Sequence, residues 1–361
     1  MDKVYFLTGA FPPQTGGEFY NYKLAEYLTK VGVANNFINL HEKRHYLRLS
    51  RIPIVGGALA SLVLAILLHR CNGILVEDHY FSGYLFFTNL IQRLFKKGKI
   101  VTIVHLFYGY DSSRFSLKRL INRWEERIKL DFADVIITNS EYSKNEIISL
   151  EINPLKILVL PPGLDREKFK LIPRTELELK PKILYVGNCI PRKGAIYLIE
   201  AFSQIERGGF TLHIVGSPKK NPRYFKKLKS LVDQLQLRKD VVFHDGVDQE
   251  EIKHLYSSSD IFVLPSLKET FGIVLLEAMY YGLPIITTNI SAIPELVTDG
   301  ENGLLIPVAN SQALAAALSK LIENPDLRRQ MGKRGRQLVL QSYHWDTTSS
   351  KFLSVIQNIS V

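Results

Sequence analysis

The sequence predicts an α/β protein made of two doubly wound parallel sheets in tandem. Short apolar runs that read as buried strands alternate with longer runs at helical period along the whole chain, the pattern of strand–helix–strand units. The strand candidates fall into two series. Between them lie Pro161-Pro162-Gly163-Leu164-Asp165 and the polar stretch Arg166 to Lys180, where proline and glycine turn and stiffen the chain. A chain of 361 residues can bury two cores, and no short-period repeat competes with this reading.

Val4 to Thr8 opens the first series, followed by an amphipathic helix from Gly17 to Lys30. Strands follow at Asn36 to Leu40, Gly73 to Glu77, Ile100 to His105, Val135 to Asn139 and Ile157 to Leu160. The second series has strands at Ile183 to Val186, Thr211 to Val215, Val241 to Phe243, Ile261 to Leu264 and Ile285 to Thr287. Ile273 to Tyr281 reads as a buried helix that stops at Gly282.

Glu269-Thr270-Phe271-Gly272-Ile273-Val274-Leu275-Leu276-Glu277 carries the densest chemistry. Two carboxylates stand eight residues apart. Glu269 falls in a strand-to-helix loop, and Glu277 is expected about two turns into the helix. The turn at Phe271-Gly272 can point backbone N–H groups and the positive helix end at an anion. An acid, an anion seat and a second acid in one element suit a polyhydroxylated ligand joined to a phosphate, as in a sugar nucleotide. Gly187-Asn188-Cys189-Ile190-Pro191-Arg192-Lys193-Gly194 follows the first strand of the second series; Arg192 and Lys193 are expected to open a helix and can neutralise a diphosphate. Gly216 ends the next strand. In the first series, Gly16 and Gly17 open a helix without a Cβ in the way of a ligand, and His105 ends a parallel strand, where sites gather. The loop Gly9 to Glu18 is not G-x-G-x-x-G, and the chain has no phosphate-binding P-loop.

At these residues the chain resembles a known family. Leu264 to Pro284, with Pro265-Ser266, Phe271-Gly272 and Glu277-Ala278-Met279 in register, is similar to the E-x7-E signature of retaining glycosyltransferases of the GT-B fold, of the family 4, or group 1, type. The resemblance covers nearly the whole chain and is loosest between Leu40 and Phe95. It implies two Rossmann-like domains facing across a cleft, with the last helix crossing back to the first domain. The implied division is an acceptor-side domain over 1–165 plus 343–361 and a nucleotide-sugar domain over 166–342. Pro162, Gly163, Asp165 and Phe169 match the family's passage at the domain crossover. The implied reaction moves a sugar, with retention, from a nucleoside diphosphate sugar to a glycan or lipid-linked acceptor. In that reading His105, Glu269, Arg192 and Lys193 serve catalysis. Gly16, Gly17, Gly187, Gly216, Phe271, Gly272, Ile273 and Glu277 bind the donor, with Glu277 on the ribose hydroxyls. Two departures stand out. Asn188 occupies the place of a usual arginine, and Ser291-Ala292 stand where glycines are common.

No Asp-x-Asp and no zinc-spaced ligand set occurs, so neither metal nor cofactor is expected. Two cysteines, Cys71 and Cys189, suggest a reducing, cytoplasmic setting, and Met1-Asp2-Lys3 leads into a strand rather than a signal peptide. The net charge of +11 is concentrated between Lys43 and Lys129, where fifteen Lys/Arg face five Asp/Glu. Such a basic N-terminal face fits an anionic membrane surface or acceptor, and no nucleic-acid motif accompanies it. Ile52 to Leu68 carries no charge; it reads as a helix packed on the sheet or lying in a membrane surface. The alternatives on the same fold are a sugar-nucleotide epimerase, a phosphorylase (no pyridoxal-lysine motif is evident) and a non-catalytic subunit that binds a glycan or lipid.

Overall fold

The computed structural model describes residues 2–8, 13, 15–39, 61, 65–66, 73–81, 85–95, 98–105, 117–165, 181–206 and 208–360, and leaves the side chains of 117–122 and 125 aside. Most of Ile52 to Leu68, the basic cluster from Lys43 to Arg51, Arg114 and Phe169 lie outside the described residues. The chain divides into two compact units, Met1–Gly163 with Trp345–Val361, and Leu164–His344.

The first unit holds strands β1 (Val4–Thr8), β2 (Asn35–Asn39), β3 (Gly73–Asp78), β4 (Gly98–Val104), β5 (Val135–Thr138) and β6 (Ile157–Val159). All pair in parallel, in the order β2-β1-β3-β4-β5-β6. The order reverses between β1 and β3, so the carboxyl ends of β1, β3 and β4 gather at a switch point. Helix Gly16–Lys30 starts on a reciprocal cap: Thr15 Oγ1 accepts from Glu18 N at 3.3 Å, and Glu18 Oε2 accepts from Thr15 N at 3.0 Å. Its buried stripe, Tyr20, Leu24, Ala25 and Leu28, recurs at helical spacing. That stripe shares one core with Phe6 on β1 and with Phe352 and Ile356 on helix Trp345–Ile359. Burying Phe352 alone contributes roughly 2–3 kcal/mol. Thr348 Oγ1 donates to the Pro161 carbonyl at 2.6 Å. The C-terminal helix is thus part of the first unit.

The second unit holds β7 (Lys182–Val186), β8 (Thr211–Val215), β9 (Val241–His244), β10 (Ile261–Leu264), β11 (Ile285–Thr288) and β12 (Gly303–Ile306), parallel in the order β12-β11-β10-β7-β8-β9. Strand β12 is missing from the sequence reading. Here the order reverses between β7 and β10, which places the loops after those two strands side by side.

Three local expectations need correction. Arg192 and Lys193 do not open a helix; they lie in a 3-10 turn, Pro191–Lys193, and the helix begins at Ala195. Glu277 lies just over one turn into helix Ile273–Tyr280, not two. Strand β4 ends at Val104, so His105 is the first residue beyond it. No helix among the described residues is long and apolar enough to cross a membrane.

Candidate active site

Gly194 organises the site of the second unit. It has φ +72°, and a Cβ there would lie 1.9 Å from the Pro265 carbonyl oxygen, so only glycine fits. The close approach holds the Pro191–Lys193 turn against the exit of β10, and Leu267 N donates to the Arg192 carbonyl at 2.7 Å. Lys193 Nζ thereby forms an ion pair with Glu269 Oε2. Arg192 Nη1 donates to the Lys268 carbonyl at 2.7 Å and lies 3.9 Å from the same carboxylate oxygen. Glu269 is buried. Burial alone would raise its carboxyl, but the Lys193 and Arg192 charges and the hydrogen bonds from Lys193 and the Thr270 backbone outweigh it, and the group is held below the usual carboxylate range.

Gly272, at φ +88°, turns the chain from this loop into helix Ile273–Tyr280. The Phe271 ring is buried edge-on against Tyr343, with centroids 5.9 Å apart, so its side chain serves the core. Among the described residues, the N–H groups of Phe271, Gly272 and Ile273 donate to no backbone carbonyl. They are donors that a helix start leaves open to an anion. Glu277 accepts a hydrogen bond from the fully buried Tyr256 hydroxyl at 2.8 Å. Burial first, and Glu277 second, push that phenol well above its usual range, so it remains a donor.

Gly187 and Gly216 close the β7 and β8 exits. Gly187 N donates to the Val215 carbonyl at 2.9 Å, and a Cβ on Gly216 would meet the Gly187 carbonyl oxygen at 2.1 Å. Tyr185 is buried beneath, with its hydroxyl 3.5 Å from the Asn188 carbonyl. The Asn188 side chain is exposed. Ser291 adopts φ +54°, and Ala292 N donates to the Glu269 carbonyl at 3.3 Å, so this departure from glycine abuts the site backbone.

The first unit builds a second cluster at its own switch point. Gly17 lies against His105: a Cβ there would come within 2.8 Å of the ring Cδ2. Gly16 is the first residue of the same helix. His105 Nε2 is 3.1 Å from Asn21 Oδ1 and 3.9 Å from Asp78 Oδ2. Tyr20 packs edge-on to its ring at 5.3 Å between centroids. Burial lowers the affinity of the imidazole for a proton, against the pull of Asp78 and Glu18, so it is neutral at pH 7.

Two family profiles match the chain. One, described as glycosyl transferases group 1, covers residues 167–338; the other, described as glycosyltransferase family 4, covers residues 14–168. The chain belongs to the group 1 glycosyltransferases, of the GT-B fold. A GDP-mannose-dependent alpha-(1-6)-phosphatidylinositol monomannoside mannosyltransferase of Mycobacterium tuberculosis is 29% identical over 244 residues, 63% of this chain and 62% of that protein. A putative colanic acid biosynthesis glycosyltransferase, WcaL, of Salmonella typhimurium is 30% identical over 274 residues, 73% of this chain and 65% of that protein. The chain therefore spans somewhat under two thirds of the length of these curated relatives. The solved structure of HepE from Anabaena with UDP and glucose superposes with a TM-score of 0.79 over 99% of this chain and 100% of that one, at 19% identity, a likeness of fold.

Within this group 1 glycosyltransferase, the structure brings Glu269, Lys193 and Arg192 together in one unit and His105 with Gly17 in the other. Glu277 accepts a hydrogen bond from Tyr256. Sequence reasoning missed Asp78, Asn21, Tyr185 and Tyr256. Asp78 carried a usable signal, a carboxylate at the exit of a parallel strand. The others lie inside helical or strand patterns and show no local sign of their partners.

Proposed function

We propose that this glycosyltransferase transfers a hexose from a nucleoside diphosphate sugar to a lipid-linked or glycan acceptor, with retention of configuration and without a metal ion. The observation that carries the proposal is the convergence of Lys193 and Arg192 on the buried, ionised Glu269, beside the open N–H groups of Phe271, Gly272 and Ile273. Two cations and a helix start suit a diphosphate; a carboxylate between them suits sugar hydroxyls. Glu277, an acceptor toward the Tyr256 hydroxyl, is assigned to the ribose hydroxyls. The mycobacterial relative's named GDP-mannose dependence and the UDP and glucose named with HepE support a nucleotide hexose donor.

In the proposed reaction the bond from the sugar C1 to the diphosphate oxygen breaks while the acceptor oxygen attacks the same face. The acceptor proton passes to the departing phosphate. Lys193 and Arg192 take up the charge that develops there, which is the term that lowers the barrier. A lipid-linked acceptor is the reading supported by the relative named for a phosphatidylinositol mannoside and by the basic first half of the chain, and with it we propose a cytoplasmic protein working at the inner membrane face.

Transfer from labelled nucleotide sugars to extracted lipid acceptors, in the presence of a chelator, tests the reading. Glu269→Gln is expected to lower turnover by about a hundredfold or more at unchanged nucleotide affinity. Near-normal turnover in that variant removes Glu269 from the mechanism. Conversion of the nucleotide sugar alone, without acceptor, would instead make the protein an epimerase.

A further inference from the structure

His105 is held by a chain of hydrogen bonds whose polarity can be read from one end. Asp78, last residue of β3, is a carboxylate and can only accept. Its Oδ1 accepts from Tyr80 N at 3.0 Å and its Oδ2 from Asn21 Nδ2 at 3.4 Å. The Asn21 amide therefore turns its NH2 toward Asp78 and its carbonyl oxygen toward His105. That oxygen lies 3.1 Å from His105 Nε2, and Asp78 Oδ2, a second acceptor, lies 3.9 Å from the same nitrogen. An imidazole nitrogen that faces two acceptors must carry the proton. In the neutral ring Nδ1 then keeps a lone pair, and no described residue donates to it. The ring cannot easily turn away. Gly17 backs one edge, and Tyr20, itself anchored to the Leu160 carbonyl at 2.8 Å, backs another.

We propose that Asp78 and Asn21 are positioning residues that fix His105 as its Nε2–H tautomer, so that Nδ1 accepts a hydrogen bond from a substrate hydroxyl. The hydroxyl is the part that rests on the glycosyl-transfer reading; the tautomer does not. The charged and titratable groups that act on His105 are Asp78 and Glu18, which favour the imidazolium, and His79, which with burial disfavours it. Acidification protonates Nδ1 and converts the acceptor into a donor, so kcat/KM should fall on the acid side with His105.

Protein labelled with 15N-histidine gives the test, through long-range 15N–1H correlations of His105 assigned by their loss in His105→Asn. The wild type should show a protonated Nε2 and a bare Nδ1 at neutral pH. Asn21→Leu removes the acceptor, so the Nδ1–H form should appear and kcat/KM should fall about three- to tenfold, the scale of one neutral hydrogen bond. Asn21→Asp keeps an oxygen before Nε2; it should keep the tautomer and move the acid limb of kcat/KM to higher pH, which a merely structural residue would not do. If Asn21→Leu does not fold, Asp78→Ala removes the orienting carboxylate and serves the same comparison. A wild-type Nδ1–H tautomer, or an unchanged spectrum in Asn21→Leu and Asp78→Ala, overturns the proposal. A shifted tautomer with unchanged kcat/KM overturns the role in substrate binding. Absence of any transfer by a wild type that shows the expected tautomer counts against the transferase reading alone.

Discussion

Gly17 shows how a residue without a side chain sets the position of one that has one. A methyl group at this position would press on the His105 ring at 2.8 Å. Gly17→Ala should improve helix propensity by up to about 1 kcal/mol, yet displace the imidazole. The expected outcome is a tenfold or greater loss of kcat/KM, on the scale that small misplacements cost, with the melting temperature little changed. Unaltered kinetics would show that His105 has room to spare. The carboxylates make a second prediction at this scale. Glu269 titrates below its ordinary 4.5 when folded, and Glu126, paired with His79 and Lys129, is pulled down to about 2 against its burial. In both cases the unfolded chain binds more protons, so the stability they contribute is present above pH 4.5 and is lost as pH falls through the folded value. Urea midpoints should drop steadily from pH 4.5 toward 2, and Glu126→Gln should flatten that decline. Glu269, Lys193 and His105 were legible in the sequence because residue type and motif spacing mark them. Asn21 was not, because its partners His105 and Asp78 lie 84 and 57 residues away along the chain and meet it only through strand order; Asp78 offered only its place at a strand exit.

Among elements, the turn after β7 and the loop after β11 use left-handed backbone in opposite ways. Gly194 needs its missing Cβ twice, for φ +72° and for the 1.9 Å approach of the Pro265 oxygen. Gly194→Ala should cost about 3 kcal/mol or more and separate Lys193 from Glu269, read as a large fall in the urea midpoint of the second unit. Ser291, at φ +54°, pays a strain that glycine would not. Ser291→Gly should stabilise by about 1 kcal/mol, and a loss of stability would mean that the serine side chain holds the loop. Most strands were readable because each is a short apolar run between helical stretches. β12, Gly303-Leu304-Leu305-Ile306, escaped; it opens on a glycine, a residue depleted in strands. The reason for that glycine is tertiary: a Cβ there would stand 2.5 Å from the Ile285 carbonyl oxygen on β11. The helix expected at Arg192-Lys193 failed for the same kind of reason, since Gly194 breaks the run to pack on Pro265.

At the level of the whole molecule, the alternation of strands and helices was enough to predict two doubly wound units. What it could not supply is the order of strands in each sheet, and that order is what brings the site loops together. In the second unit the reversal between β7 and β10 sets the cation turn beside the acidic loop, and we propose this pair of loops as a metal-free seat for a nucleoside diphosphate sugar. The most direct measurement is the thermal midpoint of the intact chain with UDP, GDP, ADP and their hexose forms, in chelator, for the wild type and Lys193→Ala. A ligand at about a hundred times its dissociation constant adds roughly 2.7 kcal/mol, several degrees for units of this size. The midpoint should rise with one base, further with its sugar form, and the rise should be lost in Lys193→Ala. No shift with any nucleotide, or a shift that appears only when a divalent metal is restored, would contradict it.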